Sequence, residues 1–559
     1  MSILDWGVLA VTLIGIIGYG VFRSRGRQSM DDYLLAGQSL PWYHVGLSVM
    51  ATQASAVTFL SAPGQGFADG MRFVQFYFGL PLAMVVLSVT FVPIFHRLKI
   101  FTAYEFLENR FDTRVRTLTA GLFLLQRGLS TGLSIYAPSI VLSTLLGWNI
   151  YLTNLIMGSL VLLYTVVGGT KAISYTHLQQ MAIVTLAMVL AGYLTVKLLP
   201  DNVGFVDALH VAGEAGRMNL IDLNFDPNSR YNIWSGLIGG FFLQLSYFGT
   251  DQSQVGRYLT GQSIGQSRLG LLMNGLLKVP MQFLIVLVGV LVFVFYQFNP
   301  SPTFFNKQET DRLKQSPYAG AYQLAEIKHQ NLTAQRQRTV ADMQAALDAN
   351  DEAAQSAAGT LLRETDEALR EVKADVVGLI KKNNPTADTN DINYVFLRFV
   401  LDYLPHGLIG LLIAVIFVAS MGSIASAYSS LASTTVVDVY KLLVKTGDDR
   451  HYVQVSRWAT IGWGVFCVGV AQFANQFGSL IEAVNILGSL FYGVILGVFV
   501  VAFYVKSVGG RATFWAAIVA EVFVVLSWHY DLTAFLWLNV IGCLLVVGIA
   551  WVFQKFSRV

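Results

Sequence analysis

Long apolar runs alternate with short polar links along this chain, and the runs fall into one length class. A helix needs roughly 20 mostly apolar residues to cross the hydrocarbon of a bilayer. About 13 stretches qualify, near residues 3–22, 42–60, 73–95, 117–146, 149–168, 178–199, 232–250, 269–297, 405–440, 455–474, 478–504, 512–529 and 531–554. The runs at 117–146 and 405–440 are long enough to tilt, bend or extend past the bilayer. The first run has no basic flank before it and no small-residue cleavage site after it, which predicts a retained helix and not a signal peptide.

One segment differs in kind. Residues 300–395 hold 25 of the 71 charged residues, and their apolar positions recur at helical spacing in AYQLAEIKHQNLTAQRQRTVADMQAALDAN and DEAAQSAAGTLLRETDEALREVKADVVGLI. With Ala, Gln, Glu and Leu dominant and Asn350-Asp351 as the turn, this predicts a helical hairpin outside the membrane. It reads as a solvated decoration or as a surface for an extracytoplasmic partner. The division that follows is 1–299, the 300–395 insertion, 396–504 and a C-terminal pair of helices in 505–559.

Composition agrees with the pattern. Of 559 residues, 54% are hydrophobic and 13% charged, against about 25% charged in soluble domains, and mean hydropathy is +0.55. The net charge of +3 gives no reason to expect a nucleic-acid partner. Cys467 and Cys543 both lie in apolar runs and cannot build a thiolate metal site between them.

Basic residues set the orientation. Links after odd-numbered runs carry Arg23, Arg25 and Arg27, then Arg97, Lys99, Arg110, Arg114 and Arg116, then Lys171, Arg257 and Arg268. Lys441, Lys445, Arg450, Arg457, Lys506, Arg511, Lys555 and Arg558 continue the series, while the other side holds Arg72, Arg217, Arg230 and Lys197 outside the insertion. The N-terminus is therefore expected outside and the C-terminus inside, as in a bacterial inner membrane.

No Gly-rich phosphate loop with its Lys, no His-Glu-x-x-His, no Gly-x-Ser-x-Gly and no paired-cysteine pattern occurs. Nothing marks an enzyme or an ATP-driven pump. An ion gradient is the natural energy source; a passive channel or a sensor built on a transporter frame are the rival classes.

Polar groups inside apolar runs are costly and point to function. WYHVGLSVMATQASAVTFLS turns small and polar in its second half, which suits an interrupted helix at membrane depth or close helix packing. FVASMGSIASAYSSLASTTVVDVY offers a hydroxyl row, Ser420, Ser423 and Ser426, able to ligate a hard cation such as sodium or to serve as a packing face. Lys278 sits within a strongly apolar run, facing the interior or snorkelling to an interface. Gln244 and Tyr247, three apart, share a helix face.

These residues carry a family resemblance. DDYLLAGQSLPWYHVGLSVMATQASAVTFL, FTAYEFLENRF, VVGGTKAISYTHLQQ and IASAYSSLASTTVVDVYK resemble, in order, signatures of the sodium/solute symporters. NFDPNSRYNIWSGLIGGFFLQLSYFGTDQSQVGRYL is most similar to the branch carrying monocarboxylates, iodide and multivitamins. The resemblance implies an all-α membrane protein with a LeuT-like core of five plus five inverted-repeat helices, one helix before it and two after. It implies a sodium site at the carbonyls of Ala51, Ala54 and Ala419 with the Ser423 hydroxyl.

Two departures stand out. A second hydroxyl position of the family falls on Gly422, leaving Ser420, Ser426 or water to complete the site. An Asp common in the family is replaced by His177, whose unperturbed pKa of ~6.5 brings in a proton beside the reading of a structural hydrogen bond. Positions matching a sugar-carrying branch's cavity are Thr58, Tyr77, Gln244, Tyr247 and Lys278, with Gln75 nearby. Thr58 and Tyr77 replace an amide and a carboxylate there, so retention of Lys278 favours an anion by Coulomb's law. The expectation is a sodium-coupled importer of a small organic or inorganic anion, such as a monocarboxylate or sugar acid; the alternatives are a sugar or polyol symporter and a transporter-like sensor.

Overall fold

The computed structural model describes residues 1–24, 38–98, 100–349, 351–444, 448–476 and 478–556, without the side chains of 21, 23, 24, 167–172, 348 and 449. Residues 31–37 of the first family signature, and with them Arg25 and Arg27, lie outside the described residues, as do Lys99, Asn350, Lys445 and Arg558; the side chains of Arg23 and Lys171 are likewise not described.

Each apolar stretch coincides with a helix, and among the described residues nine helical segments are long and apolar enough to cross a membrane. Two of the others, at 42–60 and 232–250, are interrupted, and the interruptions are informative. The stretch at 42–60 is two helices, Trp42–Gln53 and Ala56–Asp69, parted by Ala54 and Ser55 in extended backbone. The Ser55 amide donates to Gln53 O at 3.1 Å, so the Ala51 carbonyl loses its donor four residues on. The stretch at 232–250 continues beyond its predicted end as Gly240–Thr250 and Gln252–Tyr258, broken at Asp251. There the Asp251 carboxylate accepts from Ser253 N at 2.8 Å and caps the second piece. Each half of the core thus opens with a helix broken near its middle, as an inverted repeat with a midplane site requires.

Helix runs unbroken from Ile150 to Lys197. Straight, its 48 residues would span ~72 Å, more than twice the hydrocarbon thickness. Yet Tyr164 Oη lies 3.4 Å from Thr176 Oγ1, twelve residues along, where a straight helix would separate the backbones by about 18 Å. The run folds back on itself, giving the two crossings expected from 149–168 and 178–199.

Leu408–Thr435, which is buried along nearly its whole length, and Ile264–Phe298 both pack on the two pieces of the first broken helix. Lipid-facing character is carried by Ile3–Ser24, Gly510–His529 and Phe535–Phe556, which expose Val11, Ile14, Val522 and Leu544. The FTAYEFLENRF motif proves to be a staple. Arg110 donates to the carbonyls of Ala502, Val505, Lys506 and Val508, satisfying the C-terminal end of Leu480–Tyr504. Nearby, Thr102 Oγ1 and Arg116 Nε reach Asp438 at 2.9 and 2.8 Å.

The insertion is a hairpin of Ala319–Asp348 and Glu352–Asn383, preceded by a short helix, Lys307–Lys314. Asp351 caps the second arm by accepting from Ala354 N at 3.0 Å. It does not stand clear of the core as a simple solvated decoration would. Arg336 donates to Tyr296 O at 2.6 Å and Gln337 to Phe298 O at 3.1 Å, closing the end of Ile264–Phe298. Gln308 does the same for Ser143 O, at 2.7 Å. Tyr296 O and Phe298 O are last-turn carbonyls that the helix cannot satisfy itself, whereas Ser143 O also accepts from Gly147 N at 2.9 Å. The helix Ile392–Tyr403 begins inside the predicted insertion but packs on Ala56–Asp69, where Ser61 Oγ donates to Asn393 Oδ1 at 2.7 Å.

Candidate functional site

The two broken helices meet at one cavity of about 100 Å³. Its walls include Gln53, Ser55 and Thr58 from the first break, Gln244 and Tyr247 from the piece before the second, Tyr77, and Asn485 and Tyr492 from Leu480–Tyr504. Thr58, Tyr77, Gln244 and Tyr247, four of the six predicted solute residues, therefore share one chamber.

The other two do not line it. Gln75 is fully buried, with its amide nitrogen 3.4 Å from Arg72 O and from Tyr231 O, and its oxygen accepting from Asp222 N at 3.2 Å. Its side chain is spent on tying the loop before the second broken helix. Lys278 is 1% exposed, so it does not snorkel. It lies on the buried face of Ile264–Phe298, a helix that packs on Trp42–Gln53, Ala56–Asp69 and Leu80–Val89, away from the cavity lining.

The cation in the cavity is instead Arg127, from Thr113–Leu146. Its guanidinium pairs with Asp251 at the second break, beneath the Tyr247 ring at 5.4 Å, and Tyr492 Oη donates to the same carboxylate at 2.7 Å. Ser253 holds the other carboxylate oxygen through N and Oγ, at 2.8 and 2.6 Å. Among the described residues Arg127 Nε and Asn485 Nδ2 are buried donors with no partner, and the Gln53, Gln126 and Gln244 amide oxygens are likewise unmatched. The two spare donors beside the guanidinium suit an anion, and the three spare acceptors suit a group that donates, such as a solute hydroxyl or water. Arg127 was findable in the sequence: it is a lone cation midway along the run at 117–146, the very signal that drew attention to Lys278.

The predicted sodium residues gather where the first break faces Leu408–Thr435, two elements in direct contact. The carbonyls at the end of Trp42–Gln53 have no further turn to bond. Across from them Ser423 Oγ donates to Ala419 O and Ser420 O, at 3.0 and 3.2 Å, keeping its lone pairs available. Ser420 Oγ donates to Ile416 O at 2.6 Å and Ser426 Oγ to Gly422 O at 2.8 Å, the latter 3.5 Å from Thr52 Oγ1. Uncharged oxygens dominate, which is what a hard monovalent cation needs.

The two departures, Gly422 and His177, turn out to be one packing solution. A Cβ on Gly422 would stand 2.4 Å from Gln180 Oε1 and 3.2 Å from His177 Nε2. The larger imidazole and the Gln180 amide use the space a side chain at 422 would need. His177 is fully buried, its Nδ1 2.9 Å from Ser48 Oγ on the first broken helix. Gln180 thereby brings an oxygen next to the position that lacks a hydroxyl, a candidate that reading the sequence missed.

A model of the sodium:solute symporter family matches residues 33–305 and 373–520, and the interval it skips lies within the hairpin insertion. The human sodium/iodide cotransporter is 35% identical over 305 residues, 52% of this chain and 45% of that one. The sodium-dependent multivitamin transporter of Oryctolagus cuniculus is 26% identical over 508 residues, 89% of this chain and 66% of that one. The human sodium-coupled monocarboxylate transporter 1 is 26% identical over 496 residues, 88% and 67%. The chain thus spans about half to two-thirds of the length of these curated relatives. A solved structure of a Na+-coupled sialic acid symporter, substrate-bound and outward-open, has a TM-score of 0.76 at 22% identity, covering 99% of this chain and 98% of that one. That likeness fixes the fold.

Proposed function

Because the chain belongs to the sodium:solute symporter family, we propose that it imports a small anion together with sodium by alternating access. The observation that carries this reading is Arg127, a guanidinium with an unpartnered Nε in the cavity where both broken helices meet. Asp251 engages Arg127 through Nη2 only, and a guanidinium has five donors, so an anion can bind without displacing the carboxylate. The relatives named for iodide and for monocarboxylates both handle anions.

Sodium at Ala51, Ala54, Ala419 and Ser423, with Gln180 beside Gly422, would clamp the first broken helix against Leu408–Thr435. An ion shifts a conformational equilibrium only by its differential affinity for the two states; here the clamped state has the higher affinity because ligands come from both elements. The same clamp shapes the cavity, since Ser55 and Thr58 follow the break immediately. The solute then moves inward on the sodium gradient. In this reading the protein is a transporter and not an enzyme, with the N-terminus and the insertion outside, the C-terminus inside, in a bacterial inner membrane.

The test is uptake of radiolabelled iodide and pyruvate into proteoliposomes with an imposed inward sodium gradient. Accumulation of either above equilibrium, abolished when potassium replaces sodium, is expected. Sodium-independent uptake of a neutral hexose with no anion accumulation would overturn the proposal.

A further inference from the structure

A second chamber, about 500 Å³, lies between the hairpin insertion and the far end of the first broken helix. The central cavity touches that helix at Val57 and Thr58, and the second chamber touches it at Phe67, Ala68 and Asp69. Ten residues of helix put them ~15 Å apart. Neither the family resemblance nor the central site accounts for it, and part of its wall is the insertion that the family model skips.

Its charges do not balance. Arg217, Arg336, Arg370 and Lys373 line it, against Asp69, Asp366 and Asp391. Lys373 pairs with Asp391 at 2.6 Å and Arg336 with Asp366 at 3.5 Å, while Asp69 accepts from Gln65. Arg217 and Arg370 are in no ion pair among the described residues. Arg217 donates to Ala68 O and rests 4.8 Å from the Phe293 ring centre, leaving Nε without a partner. Arg336, 7% exposed, also has an unpartnered Nε. Buried guanidinium donors left over in a cavity of net positive charge are costly unless something accepts from them.

The titration behaviour of the lining groups agrees. Burial and the neighbouring Arg370 hold the Arg217 guanidinium below its ordinary value. Burial, with Arg336 and Lys373 close by, pushes the His329 imidazole down to about 4. At Arg217 the Asp366 and Asp69 carboxylates oppose that effect without cancelling it.

We infer that this chamber is a second anion site, in which Arg217 and Arg370, with Arg336 Nε behind them, hold a small monovalent anion such as a halide or short carboxylate. Arg217 belongs to the core and Arg370 to the insertion, so the bound anion cross-links the two. Arg217 also holds the tip of the first broken helix, through Ala68 O and through its own carbonyl, which accepts from Met71 N at 2.8 Å. Occupancy therefore acts on the helix that must move during transport. The site does not depend on the transported solute being an anion.

The test is equilibrium binding of radiolabelled iodide and of pyruvate to the purified full-length protein in sodium-free choline buffer. Wild type and the central-cavity variant Arg127→Gln/Asp251→Asn are both expected to keep a saturable, sodium-independent component. Arg217→Gln/Arg370→Gln is expected to weaken that component about tenfold or more, as loss of charge-assisted hydrogen bonds does. Arg217→Lys/Arg370→Lys is expected to restore part of it. Arg370 is exposed and in no ion pair among the described residues, so Arg370→Gln alone keeps the fold and is expected to weaken binding severalfold. Absence of sodium-independent binding by both probes, or binding unchanged in Arg370→Gln and in the double variant, would overturn the inference.

Discussion

Arg127 and Asp251 allow the anion reading to be separated from simple stability. Asp251 is fully buried and the Arg127 side chain is 12% exposed, so removing one partner strands a buried charge. That costs about 3–5 kcal/mol, whereas neutralising both members of such a pair is often close to neutral. Arg127→Gln alone should lose stability and anion binding together, which is uninformative. Arg127→Gln/Asp251→Asn should keep stability within about 1–2 kcal/mol of wild type, yet lose the cation. A hydrogen bond to a charged group is worth about 1.5–3 kcal/mol, or roughly 10–150-fold in Kd, and sodium-dependent iodide or pyruvate binding should weaken by that factor. Asp251→Asn gives the opposite pattern, because it leaves Arg127 charged and unpaired. It should be destabilised without ligand and stabilised by the anion more than wild type is. The assay is thermal unfolding in detergent, with and without sodium and each anion, beside direct binding. Wild-type affinity in the double variant would refute Arg127 as the anion anchor, as would an Asp251→Asn protein that binds anion as weakly as Arg127→Gln.

Gly422→Ser restores the family's hydroxyl but collides with Gln180 Oε1; overpacking of this kind costs about 1–3 kcal/mol, read as a lowered melting temperature. Gly422→Ser/Gln180→Ala makes room, and should recover stability and lower the sodium concentration for half-maximal uptake; no gain over Gly422→Ser would show that 422 is remote from sodium. Asp388, in the loop before Ile392–Tyr403, is held up at about 7 by burial, with Asp391 and Glu309 adding to the effect against help from Asn390 N and Tyr136. A carboxyl whose folded pKa is raised stabilises the fold fully below pH ~4 and loses that contribution as pH rises to about 7, a change of up to about 4 kcal/mol. Melting temperature between pH 4 and 8 should therefore flatten in Asp388→Asn, and an unchanged slope would refute the assignment. His329 works in the other direction, its contribution present above pH ~6.5 and lost as pH falls towards 4. Arg336→Met removes donors to Tyr296 O and Ser301 Oγ, worth about 1.5–3 kcal/mol when the donor is charged. Amide exchange across residues 319–383 should accelerate, and unaltered exchange would show that the insertion is held elsewhere.

The sequence made the helices and the first break legible because both are properties of composition along one segment. Apolar length marks a crossing, and a run of small polar residues without leucine marks Ala54-Ser55. The break at Asp251 was hidden, since GTDQSQ reads as the polar end of a span and only the cap from Ser253 N shows helix resuming beyond it. The fold-back within 150–197 was likewise visible as two apolar lengths, although helical backbone runs through the bend. What one segment cannot reveal is which side chains from distant segments face one another. Gln75 was placed in the cavity by its proximity to Tyr77, but neighbours in sequence leave a helix in different directions, and Gln75 turns to the Tyr231 loop.

The harder lesson concerns the two intramembrane cations. Lys278 and Arg127 carry the same sequence signal, a single basic residue inside an apolar run, and resemblance favoured the lysine. Charge balance would have favoured the arginine. An arginine cannot shed its proton in a protein, so burial favours a carboxylate partner, and Asp251, at the end of another span, supplies one to Arg127. A lysine can go neutral when buried and demands none. A buried arginine with an acid within reach thus marks a place where two helices are held together by charge, and that place is also where an anion finds its remaining donors. In this protein it coincides with the second broken helix. In the proposed reading the guanidinium that pairs with Asp251 also offers its remaining donors to the anion, so binding acts on the contact between Thr113–Leu146 and the second break without displacing the carboxylate.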